Sequence, residues 1–232
     1  MILLLVLAVV GFGAFGIATG IQRHAAEVAA ETAAQEQAAA EKKRLAAQYV
    51  RPSKLGKTLL ASSTPRSAWK QGSMPHLYQV DPIWSEQPYA GGTVRANACG
   101  PTSLAMVYIY LTGKTDQDPA TLATFAERNN FSPTGATEWA FMTQGAAMLG
   151  IHSAQIHPTR SEITNALSSG MPVICSVHPG DFTSVGHFIV LKSIDDAGRV
   201  EVHDPNSPYN SAQPWDIERI LGQTNACWSF WL

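Results

Sequence analysis

The sequence predicts an α+β domain on three observations. Residues 99–149 hold three stretches that read as helices, residues 172–232 turn to short β-branched runs broken by turn residues, and one apolar helix opens at the turn Cys99-Gly100-Pro101. Helices first and strands later is the order of helices set against one antiparallel sheet.

Taken in order, the chain begins with residues 1–20, which are apolar and carry no charged side chain. The run from Ile2 to Ala18 is at the short edge of what spans a bilayer, so the segment reads as a signal-anchor or as a signal peptide cut near Ala18 to Gly20. No lysine or arginine precedes the run, which departs from the usual pattern for either. Residues 21–49 are rich in Ala, Glu, Gln, Lys and Arg, all good helix formers, without a heptad of large apolar residues. They read as a solvated helical stalk. Residues 50–75, with Pro52, Pro65, Pro75 and five basic side chains, read as a basic linker, and the folded domain is expected over 76–232.

Within that domain, Leu104–Leu111 is an unbroken apolar run and predicts a buried helix over 99–112, with Pro101 in its first turn, where a backbone N–H has no partner. Asp118-Pro119 starts a second helix over 118–129, and Thr137 starts a third over 136–149. Thr159-x-x-Glu162 is a capping-box pattern for a short helix ending at Gly170. Pro172–Val177 and His187–Ile194 predict strands, and Val200–His203 pairs with the second through the turn at 196–199. Pro214–Leu221 is expected as a helix and Cys227–Leu232 as a closing strand.

The 232 residues, 45% of them hydrophobic, suffice for one sizeable core with appendages. Residues 73–232 carry 7 basic and 14 acidic side chains, a net charge of −7 that argues against nucleic acid as a partner. Three cysteines make no disulfide framework. Cys175 and Cys227 fall in apolar, strand-like runs and are expected as buried free thiols, a single bridge between them being the alternative.

Cys99 stands out chemically. At a helix N-terminus, unpaired N–H groups and the dipole favour an anion and bias a thiol toward thiolate, the attacking form. A small core residue is the competing reading of such a cysteine. A nucleophilic thiol needs a base, a group that orients it and oxyanion donors. Of seven histidines, His24 lies on the stalk, His76 in the linker region, and His152 and His157 flank a short strand. His178 ends a strand before Pro179-Gly180 and is the runner-up. His187 follows a polar loop and opens the strand Phe188–Leu191, so its ring can face a cleft while its backbone is fixed. Asp204 ends the next strand and, in an unbroken hairpin across 196–199, would oppose Leu191. That is the right face but displaced along the strand, so a bend or bulge near Gly186 is expected to close the gap. Asn206 is a weaker substitute, and His203 points to the other face.

The motifs NACGPTSLAMV, GHFIVL and VHDPN, in that order, resemble the bacterial C39-like cysteine peptidases of the papain-like superfamily. The similarity spans nearly all of 76–232. It implies a papain-like cysteine peptidase fold, with the nucleophile helix first and the antiparallel sheet after it. It also implies a Cys99–His187–Asp204 triad. In that family an upstream glutamine supplies an oxyanion donor, and the segment Tyr78–Trp84 points to Gln79, with Gln87 as the alternative. Gln79 lies 20 residues before Cys99, farther than in many papain-like enzymes. The implied chemistry is thiolate attack on a peptide carbonyl, followed by hydrolysis of an acyl-enzyme.

The same triad order also serves cell-wall peptide amidases and acyltransferases, and a non-catalytic binding module on an anchored stalk is a second class of reading. A metal site of Cys99, His187 and His203 is disfavoured because no close-spaced ligand pair accompanies them. The expectation is therefore a cysteine peptidase outside the cytoplasm, secreted or held at the membrane by its N-terminal segment. Its partner is a peptide or protein substrate, and no cofactor or metal is expected.

Overall fold

The computed structural model describes residues 22–33, 36 and 61–232. The expected signal segment and most of the linker lie outside them. Residues 22–33 form helix α1, exposed along its length, within a unit separate from the one that starts at Tyr49. Among the described residues no helix is long and apolar enough to cross a membrane.

The second unit is built on a six-stranded antiparallel sheet. Its strands are β3 (His152–Ile156), β4 (Val173–Val177), β5 (His187–Ile194), β6 (Arg199–His203), β7 (Pro214–Asp216) and β8 (Thr224–Trp231), in spatial order β3-β8-β4-β5-β6-β7. A two-stranded hairpin, β1 (Pro88–Tyr89) and β2 (Gly92–Thr93), stands apart from it. Successive side chains alternate across the sheet, which divides the core in two. Ile174, Phe188, Val190, Trp228 and Phe230 face the helical layer. Val173, Cys175, Ile189, Leu191, Val202 and Cys227 face a second cluster closed by Ile163, Leu167, Trp215 and Ile220. Cys175 and Cys227 are direct cross-strand neighbours, fully buried and unbridged.

The helical layer begins with a short turn, α2 (Val94–Asn97), and the long α3 (Cys99–Thr112). From Gly100 to Leu111 every residue of α3 except Tyr110 is buried, as a helix apolar on all sides requires. It ends at Gly113, where a φ of 69° and the 2.9 Å at which an added Cβ would meet the Gln71 nitrogen both demand glycine. Helix α4 (Pro119–Arg128) is capped by the Asp118 side chain, which accepts the Thr121 N–H.

The expected helix over 136–149 is broken. A 3₁₀ turn at Trp139–Met142 is followed by α5 (Gln144–Met148). Thr137 does not cap a helix, because its hydroxyl is bonded to Tyr89 Oη at 2.8 Å and its side chain lies against Gly100. Helix α6 (Arg160–Ser168) starts at Thr159, whose hydroxyl accepts the Glu162 N–H. Glu162 turns back to the His157 N–H rather than to the cap residue, so the capping box is half made.

After β6 comes a short helix, α7 (Pro208–Ser211), capped by Ser207. The expected helix over 214–221 divides into β7 and α8 (Ile217–Leu221), because Trp215 pairs with Val200 while the Asp216 side chain caps the helix by accepting from Glu218 and Arg219. Residues 61–75, read from sequence as linker, join the body. Trp69 and Met74 lie in its core, and the Ser63 N–H donates to Asp81 at 2.7 Å.

Candidate active site

Cys99 is the first residue of α3, and that helix packs against β5 through Ser103, whose hydroxyl donates to the Phe188 carbonyl at 3.4 Å. The contact places Cys99 beside the start of β5. The His187 ring and the N–H groups of Phe188 and Gly100 lie beside the thiol and favour its anion. His187 Nε2–H donates to Asp204 Oδ1 at 2.8 Å, which leaves Nδ1 as the nitrogen that meets the sulfur. Cys99, His187 and Asp204 thus form one continuous chain.

Asp204 reaches His187 by a different route from the one expected. The turn closes between Asp195 and Arg199, with Gly198 at a φ of 77°, and the strand irregularity lies between Leu191 and Ser193 rather than near Gly186. Beyond it Val190 pairs with His203, so Asp204 follows opposite Ile189 instead of Leu191. The tighter turn and the bulge at Lys192 together advance the aspartate two positions toward His187 without changing its face.

The electrostatics follow from the contacts. Burial pushes the Cys99 thiol up, but the hydrogen bond and positive charge of His187, with the N–H groups of Phe188 and Gly100, outweigh it and bring the thiol below its ordinary value. Burial presses His187 down, but the charge and hydrogen bond of Asp204, then those of Cys99, raise the imidazole to about 10. Both shifts favour the thiolate–imidazolium form of the pair over the neutral one.

Asp204 is itself held. It is 1% exposed, and its Oδ1 also accepts the Asn206 N–H at 2.8 Å. Its Oδ2 accepts from Asn210 Nδ2 at 2.7 Å, and its own N–H donates to Ser211 Oγ at 2.9 Å. Asn206 contributes backbone here. Asn210, buried on α7 and fixed by Trp215 Nε1–H at its carbonyl, is a site residue the sequence reading passed over. Its one local signal is Ser207-Pro208, a cap followed by proline at the first helical position.

Gln79 is buried, and its N–H donates to the carbonyl of Pro205, the residue after Asp204. Its side-chain Nε2 donates to the carbonyl of Arg95 at 2.7 Å, in the turn before Cys99, while Oε1 is enclosed without a partner. Gln79 thus spans from the aspartate to the nucleophile turn. Gln87 is exposed on the strand approach. His178 Nδ1 is bonded to the carbonyl of its neighbour Pro179, and His203 to Pro75 and Glu201, so neither joins the chain. Among the described residues no group of three or more His, Cys, Asp or Glu side chains is placed to hold a metal ion.

Residues 73–229 match the Peptidase_C39 like family, and the chain belongs to it. Similar solved structures include the peptidase domain of Streptococcus ComA, a bifunctional ABC transporter involved in a quorum-sensing pathway. It is 18% identical, with a TM-score of 0.45, over 58% of this chain and 90% of that one. Another is a protein of Bacillus anthracis described as a C39-like peptidase, 15% identical, with a TM-score of 0.46, over 69% of this chain and 96% of that one. No curated protein matches the chain.

Proposed function

We propose that the protein is a cysteine peptidase acting outside the cytoplasm. The observation that carries this reading is the unbroken contact from the Cys99 thiol through His187 to Asp204, with the charge state it imposes. The Cys99 thiolate attacks a peptide carbonyl, and the oxyanion is held by the Cys99 N–H, which has no acceptor within its helix, and by the second N–H of Gln79 Nε2. His187 then gives its proton to the departing amine as the C–N bond breaks, leaving a thioester on Cys99. A water molecule, deprotonated by His187, attacks the thioester and releases the acid. Asp204 holds the ring so that Nδ1 serves both steps. The uncharged segment 1–20 supports the extracytoplasmic setting.

The test is a peptide-library digest by the full chain, paired with mass spectrometry of the quenched enzyme. The expected result is cleavage together with an acyl adduct on Cys99, both absent in Cys99→Ala. Cleavage that persists in Cys99→Ala, or no cleavage and no adduct in the wild type, overturns the reading.

A further inference from the structure

Beside the nucleophile turn lies a cavity of about 330 Å³ that the triad does not use. One wall is Ala90-Gly91, at the turn of the β1–β2 hairpin. The other runs from Glu127 at the end of α4 through Asn130 and Ser132 to Gly135. Both walls are tied to the nucleophile. Asn97, two residues before Cys99, donates through Nδ2 to the carbonyls of Tyr89 at 3.3 Å and Ala90 at 3.1 Å. Thr137, two residues after Gly135, lies so close to Gly100 that a Cβ there would meet it at 2.7 Å, and its hydroxyl is bonded to Tyr89. Both ties set the walls beside the first turn of α3, which Cys99 opens.

Its chemistry is one-sided. Glu127 Oε1 accepts the Ala90 N–H at 2.6 Å, which fixes the carboxylate on the cavity wall. Among the described residues no lysine, arginine or histidine pairs with it. The rest of the lining used here is neutral: the Asn130 and Ser132 side chains and the backbone at Ala90, Gly91 and Gly135. Ala90 and Asn130, with φ of 52° and 59°, are the two non-glycine residues with positive φ among the described residues, and both line this cavity. Ala90 sits in the hairpin turn with Gly91, and Asn130 follows the end of α4, so two tight turns shape the lining.

We propose that this cavity is a substrate subsite for a lysine or arginine side chain, whose cation pairs with the Glu127 carboxylate. The assignment rests on the peptidase reading above. An acidic side chain is repelled there, and a neutral one leaves the carboxylate unpaired.

Two measurements test it. In the first, the full chain carrying Cys99→Ala is titrated with N-acetyl-lysine N-methylamide and followed by NMR, with the norleucine analogue as control. Saturable shifts of the Gly91, Asn130 and Gly135 amides are expected with the lysine probe alone, and their loss in Cys99→Ala/Glu127→Gln. That substitution keeps an oxygen to accept the Ala90 N–H. No shifts at these amides, or equal shifts with norleucine, overturn the site without reliance on the Glu127 variant.

In the second, active enzyme is profiled on peptides that differ only by lysine or norleucine at each position near the bond cut. One position should favour lysine about fivefold in kcat/KM, the size of a partly exposed ion pair, and Glu127→Gln should bring that ratio near one. Cleavage with no lysine preference, or with one indifferent to Glu127→Gln, overturns the subsite. If the lysine probe binds as expected but no peptide is cut, the peptidase reading falls, the role in cleavage falls with it, and the cation site stands.

Discussion

Asn210 and His187 set different limits on the same thiol. Asn210 holds the Asp204 oxygen that His187 does not use. Asn210→Ala leaves that buried oxygen without its donor, at a cost of about 1–3 kcal/mol in stability. The freed carboxylate also lets the imidazole drift, and a misplacement of an ångström costs up to about a hundredfold in turnover. Thermal melts and kcat on one peptide check both numbers. The charge state of the pair gives a second expectation. Turnover should rise as Cys99 ionises below the ordinary thiol range, hold a plateau, and fall as His187 loses its proton near 10. In His187→Ala the alkylation of Cys99 should move up to the ordinary thiol range of about 8.5. An iodoacetamide rate profile that is the same in both proteins would remove the ion pair from the mechanism. Gln79→Ala should cost about 10²–10³ in turnover, as loss of one oxyanion donor does, and exposed Gln87→Ala little.

At the scale of elements, the first turn of α3 is held against the loop that carries Thr137, and Gly100 is what permits the approach. A methyl group there would meet three Thr137 atoms at 2.7–2.8 Å. Gly100→Ala should therefore cost about 1–3 kcal/mol in thermal stability and displace Cys99 from His187, seen as slower alkylation near neutral pH. What the sequence made legible follows the same division. Helix α3 and strand β5 announce themselves because their apolar runs are continuous and end in clear turn residues. Cys99 and His187 could be read as the first residue of each, and Asp204 could be placed on the correct face. The bulge at Lys192 left no mark, because a β-bulge is decided by the partner strand and the turn, not by residue type alone. The break near Thr143 was hidden for the same reason. The helical pattern over 136–149 is sound locally, and a contact from Thr137 to Tyr89 and Gly100, far earlier in the chain, overrides it.

Across the whole molecule, the body is fastened by a pair of imidazoles that no local pattern suggests. His76 and His203 stack with centroids 3.9 Å apart and planes 6° from parallel, joining the segment that leads to Gln79 to the strand that leads to Asp204. Glu201 and Lys192 face the pair from β6 and β5. Burial first, then the charge of His203, lowers His76 to about 4. The unfolded chain takes up that proton near 6.5, so the stability that neutral His76 contributes is complete above 6.5 and drains away as pH falls through 4. The melting temperature should drop across that interval in the wild type and less in His76→Phe, which stacks without titrating. Equal acid sensitivity in the two would clear His76 of the role. The order of the sheet has a consequence in time rather than space. Strand β8 follows every other strand along the chain, yet it lies between β3 and β4. During synthesis Cys99, His187 and Asp204 all leave the ribosome before the strand that completes the sheet, and such long-range pairing is slow to form. A nascent chain ending before Thr224 should show neither a cooperative melt nor fast alkylation of Cys99. Under the proposed function, Cys99 should therefore become reactive only once β8 has paired between β3 and β4.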